Sequence, residues 1–162
     1  MKPAIYIETT IVSYIAARPA RDPFLLGCQR LTRRWWREKR REYELFTSQV
    51  VADEAMRGEA LMIRRRMLLL REASMLGRTP ECDALAEILR VRLALPDRAA
   101  ADAVHIARAC VHQVDYLLTW NCTHIANPHC TRIIEALCKP HGYKLPALIT
   151  PLQMLPSTPN EP

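Results

Sequence analysis

Short apolar runs alternate along this chain with longer segments whose apolar residues recur at helical spacing. The first run, Ala4-Ile5-Tyr6-Ile7, has no polar interruption, which predicts a strand buried on both faces, as in a parallel sheet. Glu44-Leu45-Phe46-Thr47, Ser74-Met75-Leu76, Asp115-Tyr116-Leu117-Leu118-Thr119 and Ala147-Leu148-Ile149-Thr150 read as four further strands. Helices are expected between them. One covers 11–17. A second follows Asp22 as N-cap and Pro23 as first residue, and runs to about 41 with Phe24, Cys28, Leu31 and Trp35 as its buried stripe. Ser48 caps a third that carries Val50, Val51, Glu54 and Ala55. A basic helix over 59–73, one capped by Thr79 and running to about 94, one from Arg98 to Val111, and one over 131–138 complete the set. Strands alternating with helices imply an α/β domain whose parallel sheet is covered on both sides. At 162 residues the chain suits one domain, expected over 1–150. Residues 151–162 hold four of the twelve prolines and read as a loosely ordered tail.

Three acids occupy notable places in this pattern. Glu8 stands where the first strand stops, and in open α/β sheets ligands gather outside the carboxyl ends of the strands. Glu54 shares a helix face with Val50 and Val51, and Asp102 shares one with Ile106 and Ala109. Asn121, a neutral oxygen donor, follows the fourth strand. If the first and fourth strands are neighbours, all four side chains converge on one edge of the sheet. Converging carboxylates repel unless a cation neutralises them. Hard oxygen donors suit Mg²⁺ or Mn²⁺, and such a metal beside a basic surface suits attack by activated water on a phosphodiester. Each acid also has an ordinary reading: Glu8 as a strand-end charge, Glu54 as a rim residue, and Asp102 as a carboxylate bonded to an arginine or to backbone.

The net charge of +6 is unevenly spread. Residues 1–80 carry 16 basic and 9 acidic side chains, a balance of +7, whereas 81–162 carry 7 and 8, a balance of −1. Arg30, Arg33, Arg37 and Arg40 repeat at helical spacing, and a one-sided positive excess fits contact with phosphates. It equally fits a solvated face whose long stems cover apolar surface. The six cysteines include no C-x-x-C pair and read as reduced packing residues. His105 and His112 read as helix residues. Cys122, His124, His129, Cys130, Cys138 and His141 crowd the last third, but their spacings match no standard paired zinc ligands. No apolar run approaches the roughly 20 residues that span a bilayer, and the start leads into a strand rather than a signal peptide. A cytoplasmic location is expected.

Four pieces in order, Tyr6-Ile7-Glu8-Thr9-Thr10, Ser48 through Glu54, Ala101 through Ala107, and Tyr116 through Asn121, resemble PIN-domain proteins. That ribonuclease family includes the VapC-type toxins of type II toxin–antitoxin pairs. The resemblance implies a Rossmann-like three-layer α/β/α sandwich with strand order 3-2-1-4-5 and an acidic pocket for Mg²⁺ or Mn²⁺. Glu8, Glu54 and Asp102 match the family's first three acids, which bind metal. Asn121 falls where many members have a fourth acid, while Thr10 and Thr119 match hydroxyls that support the metal shell. A metal-dependent endoribonuclease is implied, with RNA as substrate, a homodimeric state and a small antitoxin as partner. Glu at position 8 adds a methylene, and Asn121 removes a charge. These two departures are the support for the alternative, a non-catalytic PIN fold that binds RNA or protein.

Overall fold

The computed structural model describes residues 1–156. Five strands form one sheet: β1 (Ala4–Ile7), β2 (Glu44–Ser48), β3 (Ser74–Leu76), β4 (Tyr116–Leu118) and β5 (Ala147–Ile149). All pairings are parallel, and the order is β3-β2-β1-β4-β5, as expected. β1 lies in the middle, with Tyr6 paired to Phe46 on one side and Leu117 on the other. Ile5, Tyr6 and Ile7 are fully buried, while β3 and β5 at the edges retain exposed residues. This gradient explains why the first run is the most uniformly apolar.

Eight α-helices are present among the described residues: α1 (Thr9–Ala16), α2 (Pro23–Glu38), α3 (Gln49–Ala55), α4 (Ala60–Leu70), α5 (Pro80–Arg92), α6 (Ala100–Val111), α7 (Pro128–Cys138) and α8 (Pro151–Met154). Right-handed crossovers place the helices that link β1 to β2 and β2 to β3 on one face, and those that return through β4 to β5 on the other. The packing agrees: α1 touches α2, α3 and α4, while α5 touches α6 and α7. The result is the three-layer α/β/α arrangement. No helix among the described residues is long and apolar enough to cross a membrane.

Several local expectations change. Phe24 is 79% exposed rather than part of the α2 stripe, because the buried stretch of that helix begins one turn later, at Cys28 and Gln29. α2 ends at Glu38, and Arg40–Glu42 continues as a short 3-10 turn. Loose ordering from Pro151 gives way over the first residues of that segment. Pro151–Met154 is helical, Thr150 and Gln153 form a capping box, and Pro151 and Leu155 are buried. The remainder of that proline-rich segment, 157–162, lies outside the described residues. Trp35 and Trp36 pack in the core, with Trp35 against Tyr43 and Tyr43 edge-on to Tyr116. All six cysteines are free, and five of them are buried.

The candidate acidic site

The chain runs from β1 outward to β2 and β3, then crosses back to β4 on the other side of β1. The carboxyl ends of β1 and β4 therefore flank the point where the strand order reverses, the place where open α/β sheets leave a crevice. Glu8 follows β1 directly and donates its backbone N–H to Leu118 O at 3.1 Å. It is also the N-cap of α1. An acid there complements both the free N–H groups and the positive end of the helix dipole.

Glu8 is only 4% exposed, yet no lysine or arginine bonds to it among the described residues. Its Oε2 accepts three hydrogen bonds from neutral donors: Thr10 N at 3.1 Å, Thr10 Oγ1 at 2.5 Å and Thr119 Oγ1 at 2.7 Å. Both hydroxyls are aimed by further bonds. Thr10 Oγ1 accepts from Trp120 N and Thr119 Oγ1 from Asn121 N, each at 2.9 Å. Trp120 is anchored in turn by its indole N–H on Thr32 and by stacking on Tyr14. Thr10 and Thr119 thus both fix the Glu8 carboxylate.

Glu54 reaches the same crevice from α3. Its Oε2 accepts from Thr9 Oγ1 and from His105 Nε2, the latter at 2.9 Å. Burial pushes the Glu54 carboxyl up. The bonds from His105 and Thr9, the His105 charge and the Arg57 charge outweigh that and hold it below the ordinary range. His105 responds in the opposite sense. Burial disfavours its cation, but the Glu54 bond and the charges of Glu8, Glu54 and Asp102 raise its imidazole above the usual value. Each shift favours the charged form of its own group. Among the described residues, Glu8, Glu54 and His105 are the group whose metal-type donor atoms converge, all within 4.8 Å of one another.

Asp102 stands beside this group rather than in it. It lies in the first turn of α6, half-buried, and burial raises its carboxyl against the pull of the Asn121 side chain and of His105. Glu8 is near enough to raise it further. Asn121 uses its side-chain oxygen to accept from His124 N at 3.0 Å, and its backbone oxygen accepts from Ile125 and Ala126. It closes the turn after β4, so its oxygen is already engaged.

The four arginines spaced along α2 and the 3-10 turn after it, Arg30, Arg33, Arg37 and Arg40, separate into different roles. Arg33 donates to Ile15 O at 3.2 Å and Ala17 O at 2.6 Å, and Arg65 of α4 donates to Ala16 O. Together they satisfy the carbonyls at the end of α1 and complement its negative pole. Arg40 pairs with Glu72, bonds Trp36 O and lies over the Trp36 ring. Arg37 pairs with Glu38, which Arg34 also holds. Arg30 is exposed and makes no hydrogen bond or ion pair among the described residues.

Sequence reasoning missed Thr9 and the role of His105, which it read as an ordinary helix residue. One signal was present: Asp102 and His105 are three apart on a helix and therefore share a face.

No family model matches this sequence, and no curated protein does. Among solved structures, a chain of the crystal structure of VapBC2 from Rickettsia felis bound to a DNA fragment from their promoter is similar. It is 11% identical with a TM-score of 0.52, over 91% of this chain and 98% of that one. With that likeness, an all-parallel sheet in the order 3-2-1-4-5 and an acidic crevice where the order reverses, the chain has the PIN-like fold that its four sequence pieces imply.

Proposed function

We propose that this chain is a metal-dependent endoribonuclease acting in the cytoplasm, the toxin of a toxin–antitoxin pair. The observation that carries the reading is the state of the two carboxylates at the crevice. Glu8 and Glu54 each commit Oε2 to the protein, and no hydrogen bond among the described residues reaches either Oε1. Two acids this close, without a bonded lysine or arginine, fit a hard divalent cation. Glu8 and Glu54 would hold Mg²⁺ or Mn²⁺ directly, with Asp102 completing the acidic wall. His105 is not counted as a ligand, because Nε2 is bonded to Glu54 and Nδ1 to Tyr6. A bound cation would supply charge neutralisation and a water of lowered pKa for attack on an RNA phosphodiester.

The residues of the chain do the rest by holding shape. Thr10 and Thr119 keep Glu8 fixed, Thr9 and His105 keep Glu54 fixed, and the turn at Asn121 sets the wall beside Asp102. Exposed Arg30 and the outer arginines of α2 would give phosphate affinity without sequence choice. The VapBC2 likeness supports a small antitoxin as partner. A homodimer rests on the sequence resemblance.

A second reading, a non-catalytic PIN fold that binds RNA or protein, draws on Asn121, whose oxygen serves its own turn, and on Asp102, which stands outside the converging group. One experiment separates the two. Purified protein is incubated with a mixed single-stranded and structured RNA pool in Mg²⁺, in Mn²⁺ and in chelator, beside Asp102→Asn. Cleavage that needs metal and vanishes in the variant supports the nuclease. RNA binding without cleavage by folded protein supports the second reading.

A further inference from the structure

Behind Glu54 lies a buried chain of side chains of which the site chemistry above uses only His105. Ser48 Oγ and Tyr6 Oη are 2.6 Å apart, Tyr6 Oη and His105 Nδ1 2.9 Å, and His105 Nε2 and Glu54 Oε2 2.9 Å. Ser48, Tyr6 and His105 are all fully buried. They come from the end of β2, the middle of β1 and the middle of α6, so the bonds join three separate elements.

Two features mark the arrangement as directed. Ser48 is the N-cap of α3, yet its hydroxyl makes no cap bond to that helix. It gives up a contribution of about 1 kcal/mol and turns toward Tyr6. Tyr6, in turn, puts a phenol in the middle of the central strand, between Ile5 and Ile7, where an apolar side chain would fill the space without needing a partner.

We propose that Ser48, Tyr6 and His105 are positioning residues that orient Glu54 for a divalent cation. The inference rests on the metal reading above. Its basis is the direction of the hydrogen bonds. A carboxylate can only accept, so Nε2 must carry a proton. A neutral imidazole then accepts the Tyr6 proton at Nδ1 while Ser48 donates to Tyr6. A cationic imidazole donates from Nδ1 to Tyr6, and Tyr6 donates to Ser48. The hydroxyls of Tyr6 and Ser48 accommodate both arrangements, and each leaves Nε2–H aimed at Oε2. With Oε2 held by His105 and Thr9, the lone pairs of Oε1 are left for the cation. Without the Tyr6 hydroxyl, a neutral imidazole is free to take the Nδ1–H tautomer, which sets a lone pair against Oε2.

The test uses the full-length chain, Mn²⁺ as the probe and two readouts, Mn²⁺ affinity by calorimetry and the imidazole ¹⁵N spectrum of the metal-free protein. The wild type should show a protonated, hydrogen-bonded Nε2. Tyr6→Phe should disturb that signature and weaken Mn²⁺ binding about tenfold, the usual scale for groups that orient a metal ligand. Ser48→Ala should lose less. His105→Gln, which keeps an N–H for Glu54, should bind Mn²⁺ more tightly than His105→Leu. Wild-type affinity in Tyr6→Phe overturns the proposal and leaves the metal reading standing. If Tyr6→Phe does not fold, the His105 pair decides, and equal affinities for Gln and Leu overturn it. Wild-type protein that takes up no Mn²⁺ overturns the metal reading and, with it, the role given to these residues.

Discussion

The arginine-rich helix α2 and the acidic crevice are both dense in charge, and they handle it in opposite ways. On α2 and the 3-10 turn after it, most of the charge is spent within the protein: Arg33 on carbonyls, Arg34 and Arg37 on Glu38, Arg40 on Glu72. In the crevice, the buried carboxylate of Glu8 is held by hydroxyls and an amide that orient it without neutralising it. Glu54 has one imidazole against two nearby acids. Charge count along the sequence drew equal notice to both regions. What separates them is compensation, since an uncompensated buried charge is costly unless something outside the chain pairs with it.

The comparison is broken most sharply by removing one uncompensated charge. Glu8→Gln should lower metal-dependent RNA cleavage by about 100-fold or more, beyond the loss expected for a supporting group. It should leave melting of the metal-free protein little changed, because an amide oxygen can still accept from Thr10 and Thr119. Cleavage at the wild-type rate would show that the crevice charge has no role in turnover. Next in size is Arg33→Ala, which should cost about 1–2 kcal/mol of stability through two lost charge-assisted bonds, read by urea denaturation. Arg30→Ala should cost no measurable stability, and a similar loss in both would erase the division drawn on α2.

A smaller effect should appear in the pH dependence of the metal-free protein. His105 is raised in the folded state, so its contribution is complete below the ordinary imidazole range and fades as pH rises through the raised value. Glu54 is lowered, so its contribution is present above the ordinary carboxyl range and is lost as pH falls through the lowered value. The melting temperature should therefore decline as pH rises above the ordinary imidazole range, and His105→Gln should flatten that decline. An unchanged slope there would show that the His105–Glu54 contact adds nothing to stability. Smallest of all is the exposed Arg37–Glu38 pair, where Arg37→Ala should leave stability unchanged while lowering the salt sensitivity of RNA binding, measured by fluorescence anisotropy. An RNA affinity insensitive to both Arg30 and Arg37 would move the phosphate-contacting surface off α2.

The parallel sheet and the places of Glu8 and Glu54 were legible because they follow from local signals, whereas the strand order and the parts of Thr10 and Thr119 entered only through the family resemblance. An apolar run ends in an acid, a cap residue opens a helix, and alternating elements impose a parallel sheet. What stayed hidden depends on contacts between distant residues. Nothing in the spacing of a helix shows that His105 meets Glu54, 51 positions away, or that the Ser48 hydroxyl turns from its own helix to Tyr6. Phe24 kept the right period but fell one turn short of the core, since periodicity sets the face of a helix and not where its buried length begins. Arg33, Arg37 and Arg40 share a spacing and have different partners for the same reason, and Arg30, in the same series, bonds to none of the described residues.

The bond from Thr119 to Glu8 joins residues 111 apart in the chain. During synthesis, β1, α1 and Glu8 leave the ribosome long before β4 does. Until Thr119 and Trp120 arrive, Glu8 lacks one of its three hydrogen bonds and Thr10 lacks the amide that aims its hydroxyl. Such a distant closure belongs to the late, slow part of folding. A nascent or truncated chain that stops short of β4 therefore carries the acids but not the assembled crevice, so the activity proposed for it would switch on only once most of the domain has been made.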